Sequence, residues 1–410
     1  MSNITLLRVN TGAQDVSLFK LGYATSFFRY QPWRVISDKV RDLYTNTLTQ
    51  NLRLGGSLTL ELPKVGLYIE DVKLRVKLDT ITPAGVGTYA RLCDYPFFSF
   101  VRNVELNYVQ YNLQTITPIA YYAKFLRDHD IQHYEVMESL MNAGLTPAQR
   151  NTLAAAAQEF FVYLKPYWYG VNGHVPAVAG LGNLLTFKIS FASAQDFIQT
   201  DYTLGATTTI LEIEPFIDIV NTVGSERQEC IAYTQTREGR TFLIEETQPT
   251  DYVLIPSGST TAKIPLNRFT APLSELYFIF QPNVDVVTSY AKKLYELNPA
   301  DIQRISRLIL RNGLQREVIH DFSRPTLQMA DHWQKHHNTQ YRKPLGYLRW
   351  GEIAGLKNVS TGSINPVNLD QLELYLEFTS ALPEDYVISL ISFGYNWINH
   401  QAGVVSKVYI

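Results

Sequence analysis

Two pairs of histidines in this chain are spaced for metal chemistry. His129-Asp130-Ile131-Gln132-His133 sets two imidazoles one helical turn apart with a carboxylate between them, close to the HExxH arrangement of zinc proteases. Aspartate stands where that arrangement needs glutamate, and its carboxylate is one methylene shorter, which weakens its reach to a metal-bound water. The other reading is a solvated helix face with two ordinary histidines. His332 and His336, with His337 beside them, repeat the i, i+4 spacing. Trp333 occupies the general-base position there, which removes a protease mechanism and leaves adventitious metal binding.

Other chemistries lack their residues. A two-domain cupin is a duplicated β-barrel of similar size, but its metal needs a His-x-His cluster, and none occurs. The chain has no GxxxxGK(S/T) phosphate loop, no GxGxxG and no Gly-x-Ser-x-Gly, and Gly180-Leu181-Gly182 is too short to count. Cys93 and Cys230 lie far apart outside any CxxC pair and are expected to be buried thiols of a reduced compartment. No catalytic residue, metal or cofactor is therefore assigned, and the chain is read as a non-enzyme.

Two aromatic stretches suit binding. Tyr167-Trp168-Tyr169-Gly170 is a candidate glycan platform, but in so aromatic a chain it reads first as an aromatic loop anchor. Phe27-Phe28-Arg29-Tyr30-Gln31-Pro32-Trp33-Arg34 interleaves rings with cations, a mix that suits lipid headgroups, a neighbouring subunit or packing on its own domain. Phe27, Phe28, Arg29, Trp33 and Arg34 are the candidate contact residues.

The elements that must position these groups read mainly as strands. Residues 1–50 do not read as one packed element and form a mildly basic arm, through Arg8, Lys20, Arg29, Arg34, Lys39 and Arg41. From Gly55, Leu58, Leu60 and Leu62 alternate with polar neighbours. After a Pro63 to Gly66 turn, Val72, Leu74, Val76 and Leu78 alternate with Lys73, Arg75, Lys77 and Asp79, the period of two of a half-buried strand. The two runs are expected to pair with each other. Phe98 to Val109, Phe160 to Tyr167, Leu184 to Phe191 and Thr207 to Val220 are further strand candidates. Thr117-Pro118 opens a helix, and Thr146-Pro147-Ala148-Gln149 opens another as a capping box, so helices interrupt the β domain as loop insertions.

A polar stretch from Gly224 to Gln235 separates a second half that repeats the grammar. Phe242 to Ile264 reads as strands, and Leu273 to Phe280 answers Val72 to Leu78. Asp285 to Leu297 and Pro325 to Gln340 read as helical insertions around strands at Ile305 to Phe322. Leu62-Pro63 and Ile264-Pro265 each end a strand at an offset of about 200 residues, which implies a duplicated domain. The end of the chain is the clearest part. Leu372, Leu374, Leu376 and Phe378 alternate with Glu373, Tyr375 and Glu377; after a Pro-Glu-Asp turn, Tyr386 to Ile398 runs almost without charge, as a strand covered on both faces does. The two are expected to be neighbouring strands.

This closing stretch carries a resemblance. Gly362-Ser363-Ile364-Asn365 leading into the alternating leucines, with Gly394-Tyr395-Asn396-Trp397 on the final strand, resembles the end of double jelly-roll major capsid proteins of tailless icosahedral double-stranded DNA viruses. Ile264 to Gln281, where a Pro-Leu-Asn turn leads to a short apolar strand, is similar to a segment of the same proteins. The resemblance covers the chain from about Gly55 to its end. It implies an all-β fold with helical loop insertions: two consecutive eight-stranded jelly rolls, with an arm at 1–50, a first jelly roll at 51–223 and a second at 224–410. It further implies a homotrimeric, pseudo-hexameric capsomer that joins a lattice, minor capsid or penton proteins as partners, and an internal membrane beneath in some members. The arm would then lie at the inner end and the helical insertions at the outer.

Composition agrees with assembly. Apolar residues make up 46% of the 410 and charged residues only 18%, with 26 tyrosines and 20 phenylalanines, so an ordered chain is expected and much nominal surface is expected to be covered by neighbours. A net charge of −2 gives no basic excess for direct nucleic-acid binding. No leader pattern and no window near the ~18 apolar residues of a membrane span are present. The expectation is a soluble chain made in host cytoplasm and located in the virion, with the sequons at Asn3 and Asn358 silent. The alternative is a two-domain β-sandwich that binds carbohydrate or serves as a spike or attachment protein.

Overall fold

The computed structural model describes residues 40–45, 52–64, 68–109, 111–128, 136, 138–140, 142–164, 181–201, 205–221, 228, 231–232, 240–249, 252–287, 293–312, 317–336, 341, 343–350, 362–369 and 371–407. Eight principal strands lie in the first half: β1 (Val40–Thr45), β2 (Ser57–Glu61), β3 (Tyr68–Leu78), β4 (Val101–Tyr108), β5 (Tyr111–Ile116), β6 (Gln158–Tyr163), β7 (Leu185–Phe191) and β8 (Ile210–Asn221). Eight more follow: β9 (Arg240–Pro249), β10 (Thr261–Pro265), β11 (Glu275–Pro282), β12 (Ile305–Asn312), β13 (Glu317–Phe322), β14 (Gly346–Arg349), β15 (Leu372–Phe378) and β16 (Tyr386–Gln401). Shorter strands at Val253–Ile255 and Val404–Lys407 extend the pairing of β16.

The first eight form two antiparallel sheets, β1-β8-β3-β6 and β2-β7-β4-β5. Adding eight to each number gives the other two, β9-β16-β11-β14 and β10-β15-β12-β13. Each half is thus an eight-stranded jelly roll of the same strand order. The duplication extends to single bonds. Leu62 N–H donates to Leu185 O, and Leu266 N–H donates to Leu372 O, each at 2.8 Å and each just past the equivalent strand, β2 or β10.

Alternation decides which face is buried. Val72, Leu74, Val76 and Leu78 of β3 are fully buried inside the first barrel, while Lys73, Arg75 and Lys77 point outward. Leu372, Leu374 and Leu376 of β15 are likewise buried in the second barrel, each contributing about 2 kcal/mol of apolar transfer. β11 is buried along its whole length, which no single-faced sheet strand would be.

Four expectations change. β2 and β3 do not pair with each other, nor do β15 and β16; each couple is split between opposite sheets. Periodicity reports which face is dry, and partner choice in a jelly roll is set by long-range wrapping. Phe98 to Phe100 belong to a short helix, Pro96–Phe100, because these residues cross from one sheet to the other before β4 starts. Residues 40–45, read as part of the arm, form the edge strand beside β8. Asp285 to Leu297 is not one helix: Asn283–Val287 is helical and Leu294-Tyr295 forms a turn.

Three longer helices sit in the connections after the fifth strand of each barrel. α1 (Pro118–Asp128) and α2 (Pro147–Ala154) separate β5 from β6, and α3 (Pro325–His336) separates β13 from β14. Thr146 caps α2 as its sequence indicates, accepting from Gln149 N–H while the Gln149 side chain accepts from Thr146 N–H.

Candidate functional site: the joint between the barrels

α1 is the element on which the two barrels meet. Proline in its first turn starts it after Thr117, and Ala120, Tyr121, Tyr122, Ala123, Phe125 and Leu126 are all buried. Such a helix is covered nearly all round. Part of the cover is an aromatic cluster in which Tyr122 and Phe98 take Tyr295, a residue of the second half, at ring-centroid distances of 4.8 and 5.6 Å. One apolar cluster therefore runs from the first barrel's interior to the outer face of β9-β16-β11-β14, through Tyr277, Ile279, Tyr347, Ile391 and Phe393. This explains the two-sided burial of β11 and β16.

Lys124 and Arg127, three residues apart on α1, reach across the joint. Both guanidinium terminal nitrogens of Arg127 bond the Glu245 carboxylate of β9, one of them at 2.9 Å, and Lys124 Nζ lies 3.1 Å from the same carboxylate. Arg127 also lies 3.3 Å from Glu275 of β11 and stacks over the Phe393 ring at 4.9 Å. Glu275 in turn accepts from Tyr277 OH at 2.7 Å and faces Arg349 at 3.5 Å. All these charged side chains are about nine-tenths buried, where an unpaired charge would cost several kcal/mol. Burial, reinforced by Glu275, pushes the Tyr277 and Tyr347 phenols well above their ordinary range, so both stay neutral and Tyr277 keeps the proton it donates to Glu275.

Two further seams tie the halves. Arg150 of α2 bonds Glu296 at 2.8 Å and Leu92 O at 3.0 Å, and Gln199 donates to the same glutamate at 3.0 Å. Asp94 accepts from Gly144 N–H nearby; burial raises its carboxyl above the usual value. At the third seam Tyr108 OH donates to Gly403 O at 2.7 Å, and Gln114 of β5 donates to Glu245 O at 3.1 Å. The arrangement fixes one barrel against the other.

Several sequence candidates lie outside the described residues: His129 to His133, Tyr167 to Gly170, Cys230, the sequons at Asn3 and Asn358, and Phe27, Phe28, Arg29, Trp33 and Arg34. His337 does too. Among the described residues no group of three or more His, Cys, Asp or Glu is placed to hold a metal. No described helix is long and apolar enough to cross a membrane. Cys93 is buried. Trp333 is a core anchor of α3, stacked edge-on against Tyr347 at 5.3 Å. The joint itself escaped the motif search. Its signals were present, however: Lys124 and Arg127 on one face of an otherwise apolar helix, and Glu245 and Glu275 in apolar strands, where a charge requires a partner.

His332 faces His320 of β13. The two rings are 6.4 Å apart, with Phe322 stacked on His320 and edge-on to His332. Burial, and then the charge of His332, holds His320 below its ordinary imidazole range. A histidine with a depressed folded pKa supports the fold while neutral. Its contribution is complete above about pH 6.5 and is lost as pH falls through the folded value. We predict that the thermal midpoint of the wild type drops more steeply below pH 6.5 than that of His320→Gln; parallel slopes would refute this.

No family model matches the chain, and no curated protein matches it. Solved structures do. The chain is similar to a PBCV-1 virus capsid structure at 13% identity, with 93% of this chain and 100% of that chain covered and a TM-score of 0.71. It is similar to the Faustovirus major capsid protein at 9% identity, with 94% of each chain covered and a TM-score of 0.66. A Sputnik virophage structure matches at 10% identity, over 95% of this chain and 91% of that one, with a TM-score of 0.58. At these identities the likeness establishes the fold, a double jelly roll over nearly the whole chain.

Proposed function

We propose that this chain is a major capsid protein, the structural subunit of an icosahedral viral shell. Three copies form a pseudo-hexameric capsomer that joins its neighbours in a lattice. The observation that carries the reading is the pair of barrels of identical strand order held at one angle by a buried joint, within a fold shared end to end with viral capsid structures. A trimer of duplicated barrels presents six similar edges from one gene product, so a lattice grows with few distinct contacts. The role is structural, and stability comes from apolar burial.

On this reading residues 1–50 act largely as an arm, 51–223 as the first jelly roll and 224–410 as the second. Phe27, Phe28, Arg29, Trp33 and Arg34 contact membrane lipid or a neighbour at the inner end, and minor capsid or penton proteins complete the shell. The protein is made in host cytoplasm and resides in the virion. Light scattering of the purified chain tests the core of this. The expected species has three times the 46.7 kDa chain mass and a hexagonal outline in negative stain. A monomer at micromolar concentration would overturn the reading and return attention to glycan binding.

A further inference from the structure

The strand Val404–Lys407 returns from β16 through a two-residue turn, Ala402-Gly403, with both residues in the left-handed region at φ 50° and 74°. The turn is held from the first barrel, since Tyr108 OH and Gly182 N–H both donate to Gly403 O. The closing strand therefore lies on one side of β16 in a fixed register, with Lys407 opposite Ile398. On the other side of β16 lies β9, with Glu246 opposite Gly394. Residues opposite even-spaced positions of one strand share its face, so Glu246 and Lys407 stand on the same side of the sheet as Asn396. The line joining the two charged residues crosses β16 midway between positions 394 and 398, at Asn396.

The three side chains meet there. Lys407 Nζ donates to Glu246 Oε1, and Asn396 Nδ2 donates to Glu246 Oε2, each at 2.5 Å. Asn396 is 2% exposed, and the Lys407 and Glu246 side chains are 18% exposed each. Ile398, wholly buried, adjoins them on the same face. An amine, a carboxamide and a carboxylate bonded to both nitrogens are a complete set for joining two side chains through an amide. The amine is the nucleophile and the carboxamide carbon the electrophile; the carboxylate can act as base towards one nitrogen and as acid towards the other. The sheet holds the three groups together, and burial keeps water from the reacting carbon.

We infer that Lys407 and Asn396 join in an intramolecular isopeptide bond, with Glu246 as the catalytic residue. Glu246 takes a proton from the Lys407 ammonium, and the freed lone pair on Nζ attacks Cγ of Asn396. The Nζ–Cγ bond forms, and the Cγ–Nδ2 bond breaks as Glu246 passes a proton to Nδ2. Nζ gives up two protons in all; with them Nδ2 departs as ammonium, and Glu246 is left ionised. Nothing is oxidised or reduced, and no co-reactant is consumed. The product is a covalent tie between β16 and the closing strand, next to the Gly403 seam that joins the barrels. The reaction takes place within one chain and is independent of the capsid reading.

Mass spectrometry of the full chain, purified folded and then denatured, tests this. The wild type should be lighter than its sequence mass by one ammonia. After Lys357 the next basic residue is Lys407, so trypsin acting on an unmodified chain releases Val408-Tyr409-Ile410. A Lys407 in amide linkage resists that cut, and the tripeptide should stay on the peptide that begins at Asn358. Lys407→Arg keeps a cation beside Glu246 but removes the nucleophile, so it should show its full mass and release the tripeptide. Glu246→Gln and Asn396→Ala should do the same. A wild type that keeps its full mass after prolonged incubation in the folded state would overturn the inference. So would one that loses ammonia yet releases the tripeptide, which is the signature of a cyclic imide at Asn396. The wild-type digest decides the matter even where a variant fails to fold.

Discussion

Arg127→Ala is expected to cost about 3–5 kcal/mol in urea unfolding, the largest effect of any single charged residue at the joint. The guanidinium bridges Glu245 and Glu275 and lies over Phe393, all in a region about nine-tenths buried. Removing it leaves Glu275 with Arg349 and Tyr277, and Glu245 with Lys124, in a region that stays largely buried. Most of the loss is the desolvation of two carboxylates, with the lost attraction a smaller part. Arg127→Lys should recover only part of it, since an ammonium cannot present two parallel N–H groups to Glu245. Combining Arg127→Met with Glu245→Gln and Glu275→Gln should recover only part of it, because the buried cations Lys124 and Arg349 then lose their carboxylate partners. A loss below about 1 kcal/mol for Arg127→Ala would mean that the network does not hold the barrels together.

Gly394→Ala is expected to cost about 3 kcal/mol or more, the upper range for overpacking. A Cβ at this position of β16 would stand 2.1 Å from the carbonyl oxygen of Pro272 and 3.3 Å from its carbonyl carbon. The obstacle is backbone, so no rotamer change relieves it. That backbone is also pinned, since Ser274 donates through both N–H and Oγ to Phe393 O at 2.8 Å. Gly258→Ala provides the contrast. Nothing lies within 4 Å of its added Cβ, and only the left-handed backbone at φ +79° resists it, at about 1 kcal/mol. Chemical denaturation of the two variants should therefore separate them by about 2 kcal/mol; equal midpoints would contradict the close approach at Pro272.

Both residues show how far sequence reasoning reaches here. Gly394 opens the Gly-Tyr-Asn-Trp run on which the family resemblance rested, but its physical reason, the Pro272 carbonyl, lies 122 residues earlier in the chain and appears only in the folded sheet. Arg127 could be noted as a cation on an apolar helix. Its partners, 118 and 148 residues away, could not be named.

What the amino-acid sequence determined by itself was local and periodic. Alternation at Val72 to Leu78 and Leu372 to Phe378 assigned the dry face of each strand, because successive Cβ atoms point to opposite sides. Thr146 and Gln149 announced a helix start through bonds three residues long, and Leu62-Pro63 and Ile264-Pro265 fell within two residues of the ends of two equivalent strands. Tertiary structure alone decided which strands pair, placing β2 with β7 and β15 with β10 and β12, and it alone seated α1 on the second barrel. Those choices depend on contacts between residues sixty or more positions apart. Such contacts are selected by how two whole barrels bury apolar surface and pair their few interior charges, a condition no short window of sequence contains.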